Sequence, residues 1–108
     1  MFIDISFFQV EDGMQRAFER DFRTVVERAR ETAGCLSSEL VRLDEPHHYI
    51  WLERWTTREQ HDAFNEILFG KLWPSLPDVG RYATRLVERD AEGYVVMEDD
   101  GSAFEHAP

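Results

Sequence analysis

The pattern of polar and apolar residues in the first third of the chain predicts a strand followed by a helix. Residues 2–10, FIDISFFQV, are rich in β-branched and aromatic side chains, which favours a strand that the Asp-Gly pair at 12–13 terminates. Across residues 14–33 the apolar side chains recur every three or four positions, which predicts an amphipathic helix. Gly34 follows, at the position expected for a helix C-cap.

A hairpin is predicted next. Residues 35–45 and 48–55 have the composition of strands, and the Glu-Pro-His segment at 45–47 predicts the turn between them. Because the connection is this short, the two strands are expected to be antiparallel neighbours.

A second helix follows the hairpin. Thr56 and Thr57 each match the first position of a capping box, and the helix is expected to run to about Phe69. Gly70 and Pro74 are expected to end it. Its apolar face would carry three residues, namely Phe64, Ile67 and Leu68.

The C-terminal part is predicted to add one more strand. Residues 81–90 favour a fourth strand, which Gly93 would end, and residues 94–97 are compatible with a short extra strand. Residues 98–108 have the composition of a loose acidic tail. We therefore divide the chain into a domain at 1–92 and an extension at 93–108.

The predicted element order is β-α-β-β-α-β, the split βαβ or ferredoxin-like pattern. It corresponds to an α+β protomer with a four-stranded antiparallel sheet and two helices on one face. Strands 2–10 and 48–55 carry apolar residues on both faces, so both faces of the sheet need cover. Since two helices make one layer, we expect a second copy of the chain, and hence a homodimer; the alternative is that the last 18 residues fold over that face.

Composition and charge exclude several classes of partner. The chain has 108 residues, enough for one domain, and a formal net charge of −10, which disfavours nucleic acid and anionic membrane surfaces. No apolar run reaches the roughly 18–20 residues of a membrane span, and the N-terminus lacks the features of a signal peptide. One cysteine, Cys35, excludes an intramolecular disulfide, which fits a cytoplasmic location.

Several short motifs resemble the antibiotic biosynthesis monooxygenase family. The resemblance covers residues 1–90 and implies a dimeric α+β barrel of ferredoxin-like protomers. Members of the family include cofactor-independent oxygenases of polyketide anthrones, quinol oxygenases, haem-degrading enzymes and proteins with no known activity. The motifs are Gly34-Cys35-Leu36, Leu40-x-Arg42, Tyr49-x-x-x-Glu53-x-Trp55, His61-x-x-Phe64 and Phe69-x-x-x-Trp73.

Within that resemblance the subgroup motifs are only partly present. The anthrone-oxidising enzymes carry Asn-x-x-x-Trp followed six residues later by Tyr, and here those positions are Trp51, Trp55 and His61. The haem-degrading members have an Asn in the first strand, where this chain has none, since its one Asn is Asn65. The resemblance therefore favours an anthrone- or quinol-type oxygenase over haem cleavage.

His61 and Trp55 are the candidate catalytic residues. His61 shares a helical face with Phe64, so its imidazole is expected to point at the sheet, where it would act as a general base or proton shuttle. The alternative is a core histidine hydrogen-bonded to a backbone carbonyl or to Glu53. Trp55 is singled out by the resemblance.

The candidate substrate-binding residues are aromatic. Trp51 and Trp73 would stack on a flat substrate, and Tyr49 and Tyr82 would donate hydrogen bonds to its carbonyl groups, with Phe64 beside them. The alternative for each is a packing role in the core. One of four strand arginines would orient a phenolate or carboxylate, or else form a salt bridge: Arg42, Arg54, Arg81 or Arg85.

The sequence carries no nucleotide, flavin or metal motif of recognised spacing, so we expect no cofactor and no metal. The leading hypothesis is a small homodimeric cofactor-independent monooxygenase that uses O₂ on an aromatic polyketide-like phenol, anthrone or quinol. The alternatives are a non-redox polyketide cyclase on the same scaffold, a haem- or small-ligand-binding protein without turnover, and a purely structural dimer module.

Overall fold

A computed structural model describes residues 1–76 and 78–97. Its strands are β1 (Phe2–Val10), β2 (Cys35–Arg42), β3 (His48–Trp55), β4 (Ala83–Arg85) and β5 (Ala91–Tyr94). Its α-helices are α1 (Gln15–Arg30), α2 (Arg58–Ile67) and α3 (Val79–Tyr82). A π-helical turn spans Leu68–Leu72, and 3₁₀ turns span Trp73–Ser75 and Val87–Arg89.

The strands form one antiparallel sheet in the order β2-β3-β1-β4, with β5 also paired to β1. The long strands β1 and β3 pair over eight residues, from Phe2 opposite Trp55 to Gln9 opposite His48. This is the α+β, ferredoxin-like arrangement that the element order predicted, but the described residues form five strands instead of four and add the short helix α3 to the two predicted helices.

One face of the sheet is covered by the helices. The inward side chains of β1 and β3 alternate with outward ones, and the inward set is buried against α1 and α2. Phe18 and Phe22 of α1 pack against Phe8, and Phe64 of α2 packs against Trp55. The core therefore lies between the helices and this inner face.

The opposite face of the sheet is only partly covered. It carries the apolar side chains Ile3, Ile5 and Phe7 of β1 and Ile50 and Leu52 of β3, each of intermediate exposure. The two apolar faces expected from the sequence are thus both present, and the helices cover one of them.

The predicted fourth strand at residues 81–90 is wrong over most of its length. Residues 79–82 are helical, β4 is three residues long, and β5 begins only at Ala91. Between the two short strands, the side chain of Asp90 takes the place of a backbone carbonyl as the partner of β1. Its Oδ1 accepts a hydrogen bond of 2.9 Å from the backbone N–H of Phe7. Gly93 lies inside β5 and does not end a strand.

The helix ends also differ from the prediction. Helix α1 stops at Arg30, capped by Glu31, and Gly34 lies in the following turn with φ +90°. Of the two candidate caps for α2, Thr57 is the N-cap, since its hydroxyl accepts a hydrogen bond from the backbone N–H of Gln60. The chain does not break at Gly70, which lies within the π-helical turn.

No helix in the part of the chain that the structure describes has both the length and the apolar character needed to span a membrane. Strand β5 crosses the boundary that we placed between residues 92 and 93. The acidic tail predicted at 98–108 lies outside the described residues.

Candidate active site

His61 is held between two carboxylates. It lies in the first turn of α2, on the face turned to the sheet, and is buried. Its Nε2 donates to Oδ2 of Asp4 at 2.8 Å, and its Nδ1 donates to Oδ1 of Asp62 at 3.0 Å. The ring packs against Phe2 and Trp55, so the imidazole has a fixed orientation.

Glu53 completes a buried polar cluster with Asp4 and His61. Glu53 lies directly opposite Asp4 in the β1–β3 register, so both side chains project from the inner face. Its Oε1 accepts a hydrogen bond of 3.1 Å from the indole Nε1 of Trp55. Its Oε2 is buried and has no hydrogen-bond partner among the described residues. The cluster therefore contains one buried polar oxygen without a hydrogen-bond partner, which is costly in the protein interior.

The surroundings change the acid–base properties of both groups. Burial, reinforced by the nearby charge of Asp4, raises the pKa of Glu53 from 4.5 to about 8. Burial by itself would lower the pKa of His61, but the hydrogen bonds to Asp4 and Asp62 and the charge of Glu53 outweigh it and raise the pKa to about 9. His61 is thus a hydrogen-bonded imidazolium at neutral pH, in contrast to the free base expected from the sequence.

A polar cleft opens on this cluster. It has a volume of about 400 Å³, within the range of ligand pockets. It lies beside the interval between β4 and β5, and the irregular segment there supplies Val87 and Asp90 to its wall. The residues that line it are Asp4, His61, Asn65, Arg85, Val87, Asp90 and Glu92.

A smaller apolar cleft lies next to it along β1. Its volume is about 60 Å³, less than the ~150 Å³ cavity that accommodates benzene. Ser6 and Arg85 are its polar wall residues, and Arg85 also lines the polar cleft. The other residues that line it are Phe8, Phe22, Trp51, Leu68, Phe69, Trp73 and Ala83.

The predicted aromatic site residues divide into three groups. Trp51 and Trp73 line the apolar cleft, as a substrate-binding role requires. Trp55 and Phe64 are fully buried behind His61, and neither lines a cleft with it.

Tyr49 and Tyr82 form the third group, which is tied to α1 by hydrogen bonds. The hydroxyl of Tyr49 donates to Glu19, and that of Tyr82 donates to Asp21. Neither residue lines the polar or the apolar cleft. The structure therefore gathers Trp51, Trp73 and His61 around the two adjacent clefts and leaves these tyrosines outside.

Asp4, which bonds directly to His61, was not among the site residues predicted from the sequence, and neither were Asp62, Asp90 and Glu92. A signal was present, since Asp4 is a carboxylate on the inward face of a strand that is otherwise strongly apolar. His61 donates to Asp4, and not to the Glu53 partner considered from the sequence. Asp4, Glu53 and His61 each offer one ligand atom, and these atoms lie within 4.8 Å of one another, close enough to hold a metal ion.

Comparison with known proteins gives a consistent result for the fold. The sequence profile described as "Antibiotic biosynthesis monooxygenase" matches residues 1–66. No curated protein sequence matches the chain.

Solved structures extend that similarity to most of the chain. A Nitrosomonas europaea protein assigned to the same family is 18% identical, with a TM-score of 0.75 over 90% of this chain and 100% of that one. HapK from Hahella chejuensis is 17% identical, with a TM-score of 0.68 over 92% and 96%. Rv0793 from Mycobacterium tuberculosis is 20% identical, with a TM-score of 0.65 over 94% and 98%. At these identities the likeness concerns the fold.

Proposed function

This chain belongs to the antibiotic biosynthesis monooxygenase family, and from that premise we propose that it is a cofactor-independent monooxygenase of a hydroxylated aromatic molecule. Its substrate would be a phenol, anthrone or quinol of the polyketide type. The observation that carries the proposal is the Asp4–His61 pair at the floor of an open polar cleft, directly beside an aromatic-lined one.

The Asp4–His61 pair would remove the proton that makes the substrate electron-rich. The substrate hydroxyl donates to the carboxylate of Asp4, which the hydrogen bond from His61 keeps in place. The imidazolium of His61 then stabilises the negative charge that develops in the cleft. Trp55 is a positioning residue in this scheme and does not contact the substrate. Its indole donates a hydrogen bond to Glu53 and packs on the His61 ring.

The substrate anion would supply the electrons that O₂ needs. Electron transfer to O₂ and recombination join one oxygen atom to carbon, and the second oxygen leaves as water. For an anthrone the balance is conversion of CH₂ and O₂ into C=O and H₂O.

The two clefts set how an aromatic ring would bind. The polar cleft is large enough for a ring, with its hydroxyl toward Asp4 and with Arg85 beside its oxygen atoms. Entry into the apolar cleft between Trp51 and Trp73 would require the exposed side chain of Phe69 to move outward. Trp51 and Trp73 are therefore assigned to ring contact.

A second copy of the chain would cover the half-buried outer face of the sheet. That face presents five partly exposed apolar side chains along β1 and β3, which suits an isologous dimer interface. We therefore propose a homodimer. The single free thiol, Cys35, is compatible with a reducing, cytoplasmic location.

Oxygen uptake tests this function. Chelator-treated protein is given a panel of anthrones and hydroquinones, and His61→Ala is compared with His48→Ala, a histidine in the distant hairpin. We expect uptake that survives the chelator, falls ~10²-fold or more in His61→Ala and is retained in His48→Ala. Absence of uptake with every substrate, or full activity of His61→Ala, would contradict the proposal.

A redox-neutral cyclase is the second candidate. The Asp4–His61 pair favours it equally, because proton transfer by that pair requires no O₂. Product formation from a reactive polyketide chain under nitrogen, lost in His61→Ala, would identify the cyclase. Consumption of substrate only in the presence of O₂ would identify the oxygenase.

A further inference from the structure

The buried oxygen of Glu53 that lacks a partner calls for an explanation. A buried carboxylate oxygen without a hydrogen bond is destabilising, and Glu53 has no exposed surface through which water could reach it. The Glu53 side chain lies on the same sheet face as Asp4, directly across the strand pair. Its unsatisfied atom belongs to a group that also contains an imidazole nitrogen.

Three different elements supply that group. Asp4 comes from β1, Glu53 from β3 and His61 from α2, and the three donor atoms lie within 4.8 Å of one another. Two ligands of one small metal ion lie at most about 4.4 Å apart, since metal–ligand bonds of this type are about 2.0–2.2 Å long. The three atoms therefore need only small side-chain adjustments to share one ion.

We propose that Asp4, Glu53 and His61 form a binding site for one divalent first-row transition-metal ion. The ligands are the imidazole nitrogen Nε2 and one oxygen of each carboxylate. Two carboxylates and one imidazole suit Zn²⁺, Fe²⁺ or Mn²⁺. A set that includes imidazole is less suited to Ca²⁺, which takes oxygen ligands.

The groups around the three ligands have the arrangement that metal sites require. The Nδ1 of His61 donates to Asp62 at 3.0 Å, which fixes the ring and directs Nε2 toward the site. The indole of Trp55 holds Oε1 of Glu53, leaving Oε2 for the ion. His61 and Glu53 are therefore each oriented by a hydrogen bond to a residue that is not itself a metal ligand.

A route and an attractive field for a cation are also present. Asp4 and His61 line the polar cleft, so the site communicates with solvent and has room for water ligands. Asp90 and Glu92 add two acidic groups to the cleft wall, against one guanidinium, that of Arg85. With a formal net charge of −10, the whole molecule attracts cations.

Metal binding and the proposed oxygenation exclude each other, and this consequence rests on the proposed function. An ion on Nε2 of His61 and on Asp4 replaces the hydrogen bond between them and occupies the proton acceptor. The metal-bound protein is then the inactive form, and metal concentration regulates the site.

The direct test uses Co²⁺ and Zn²⁺ without substrate, so its result does not depend on the proposed reaction. The 108-residue chain is first treated with a chelator. Binding of Co²⁺ is then followed by its visible d–d absorption, and binding of Zn²⁺ by calorimetry. We expect one ion per chain and at least ~10-fold weaker binding in Glu53→Gln, which keeps the shape of the side chain. The matched control Glu27→Gln, an exposed acid of α1 that lines neither cleft, should bind within ~3-fold of wild type.

A second measurement uses the wild-type protein alone, so its result does not depend on whether a variant folds. In ¹⁵N–¹H spectra of the wild-type protein, Zn²⁺ should shift the Trp55 indole signal more than those of Trp51 and Trp73, because only Trp55 donates to Glu53. Absence of binding in wild type, or Glu53→Gln binding as tightly as wild type, overturns the proposal. So does a shift confined to the hairpin that contains His47 and His48.

Discussion

At the scale of single residues, two tyrosines expected to face a substrate serve the structure. Tyr49 and Tyr82 bury their rings in the core and place their hydroxyls on acidic side chains of α1. Residue type alone could not tell whether these hydroxyls donate hydrogen bonds to a substrate or to helix α1. A buried tyrosine hydroxyl needs a hydrogen-bond partner in either role. The partners, Glu19 and Asp21, lie on the predicted helix, but only folding brings them to the tyrosines.

The contact between Tyr49 and Glu19 makes stability depend on pH. Hydrogen bonds from Tyr49 and Arg42 hold the pKa of Glu19 below its usual 4.5. A lowered pKa in the folded state stabilises the protein above the usual pKa, and this contribution is lost as the pH falls through the lowered value. Tyr49→Phe should therefore lower the Tm most at pH 7, and the difference from wild type should shrink on acidification to about pH 3.

Thermal unfolding followed by circular dichroism across that pH range measures the effect. Tyr94→Phe is the control, since the side chain of Tyr94 is exposed and makes no hydrogen bond to a carboxylate among the described residues. A Tm difference for Tyr49→Phe that does not change with pH would show that the hydroxyl is not coupled to Glu19.

At the scale of elements, long periodic segments were predictable and the C-terminal strand was not. The repeats in β1, α1 and β3 span eight residues or more, and each element formed close to its predicted bounds. The segment 81–90 has the composition of a strand, but one hydrogen bond that a strand backbone would make there is made by a side chain. Asp90 accepts the Phe7 backbone N–H and also pairs with Arg85, so the chain leaves the sheet between β4 and β5.

The connection from α1 to β2 depends on Gly34. Its φ of +90° is unfavourable for other residues, and an added Cβ would lie 2.2 Å from the side chain of Gln60. Gly13 has a similar φ of +88° but nothing within 4 Å of an added Cβ. Gly34→Ala should therefore cost the ~1–2 kcal/mol expected of Gly13→Ala and, in addition, the free energy lost when the Gln60 amide is displaced from its hydrogen bond with Thr57.

Urea denaturation of both variants measures the difference. The Gly34→Ala cost should fall to that of Gly13→Ala in a Gln60→Ala background, where the close contact is absent. Equal costs for the two glycine variants in the original background would show that Gln60 moves aside freely.

At the scale of the whole molecule, the helices cover one face of the sheet, and the opposite face, called the open face below, is only partly covered. Ile5 and Leu52 are directly opposite each other in the β1–β3 register, near the middle of the open face. Such a surface is unusual for a stable monomer, and a twofold pairing of identical faces would bury it.

Light scattering coupled to size exclusion tests the dimer. Wild type should elute at twice the chain mass of 12.7 kDa, and Leu52→Lys, with a charge on the open face, should elute as a monomer. Phe69→Lys, at an exposed position on the helical side, should stay dimeric. A monomeric wild type, or a dimeric Leu52→Lys, would contradict this interface.

The sequence by itself determined the periods of the elements, their order and the presence of two apolar sheet faces, because these follow from local spacing along the chain. It also singled out His61 and placed it toward the sheet. Only the tertiary structure decided which groups surround that imidazole, since Asp4 and Glu53 are separated from it by 57 and 8 residues and come from other elements. Proximity across a strand pair and the burial that follows from it are what make these three ordinary polar residues a chemical site.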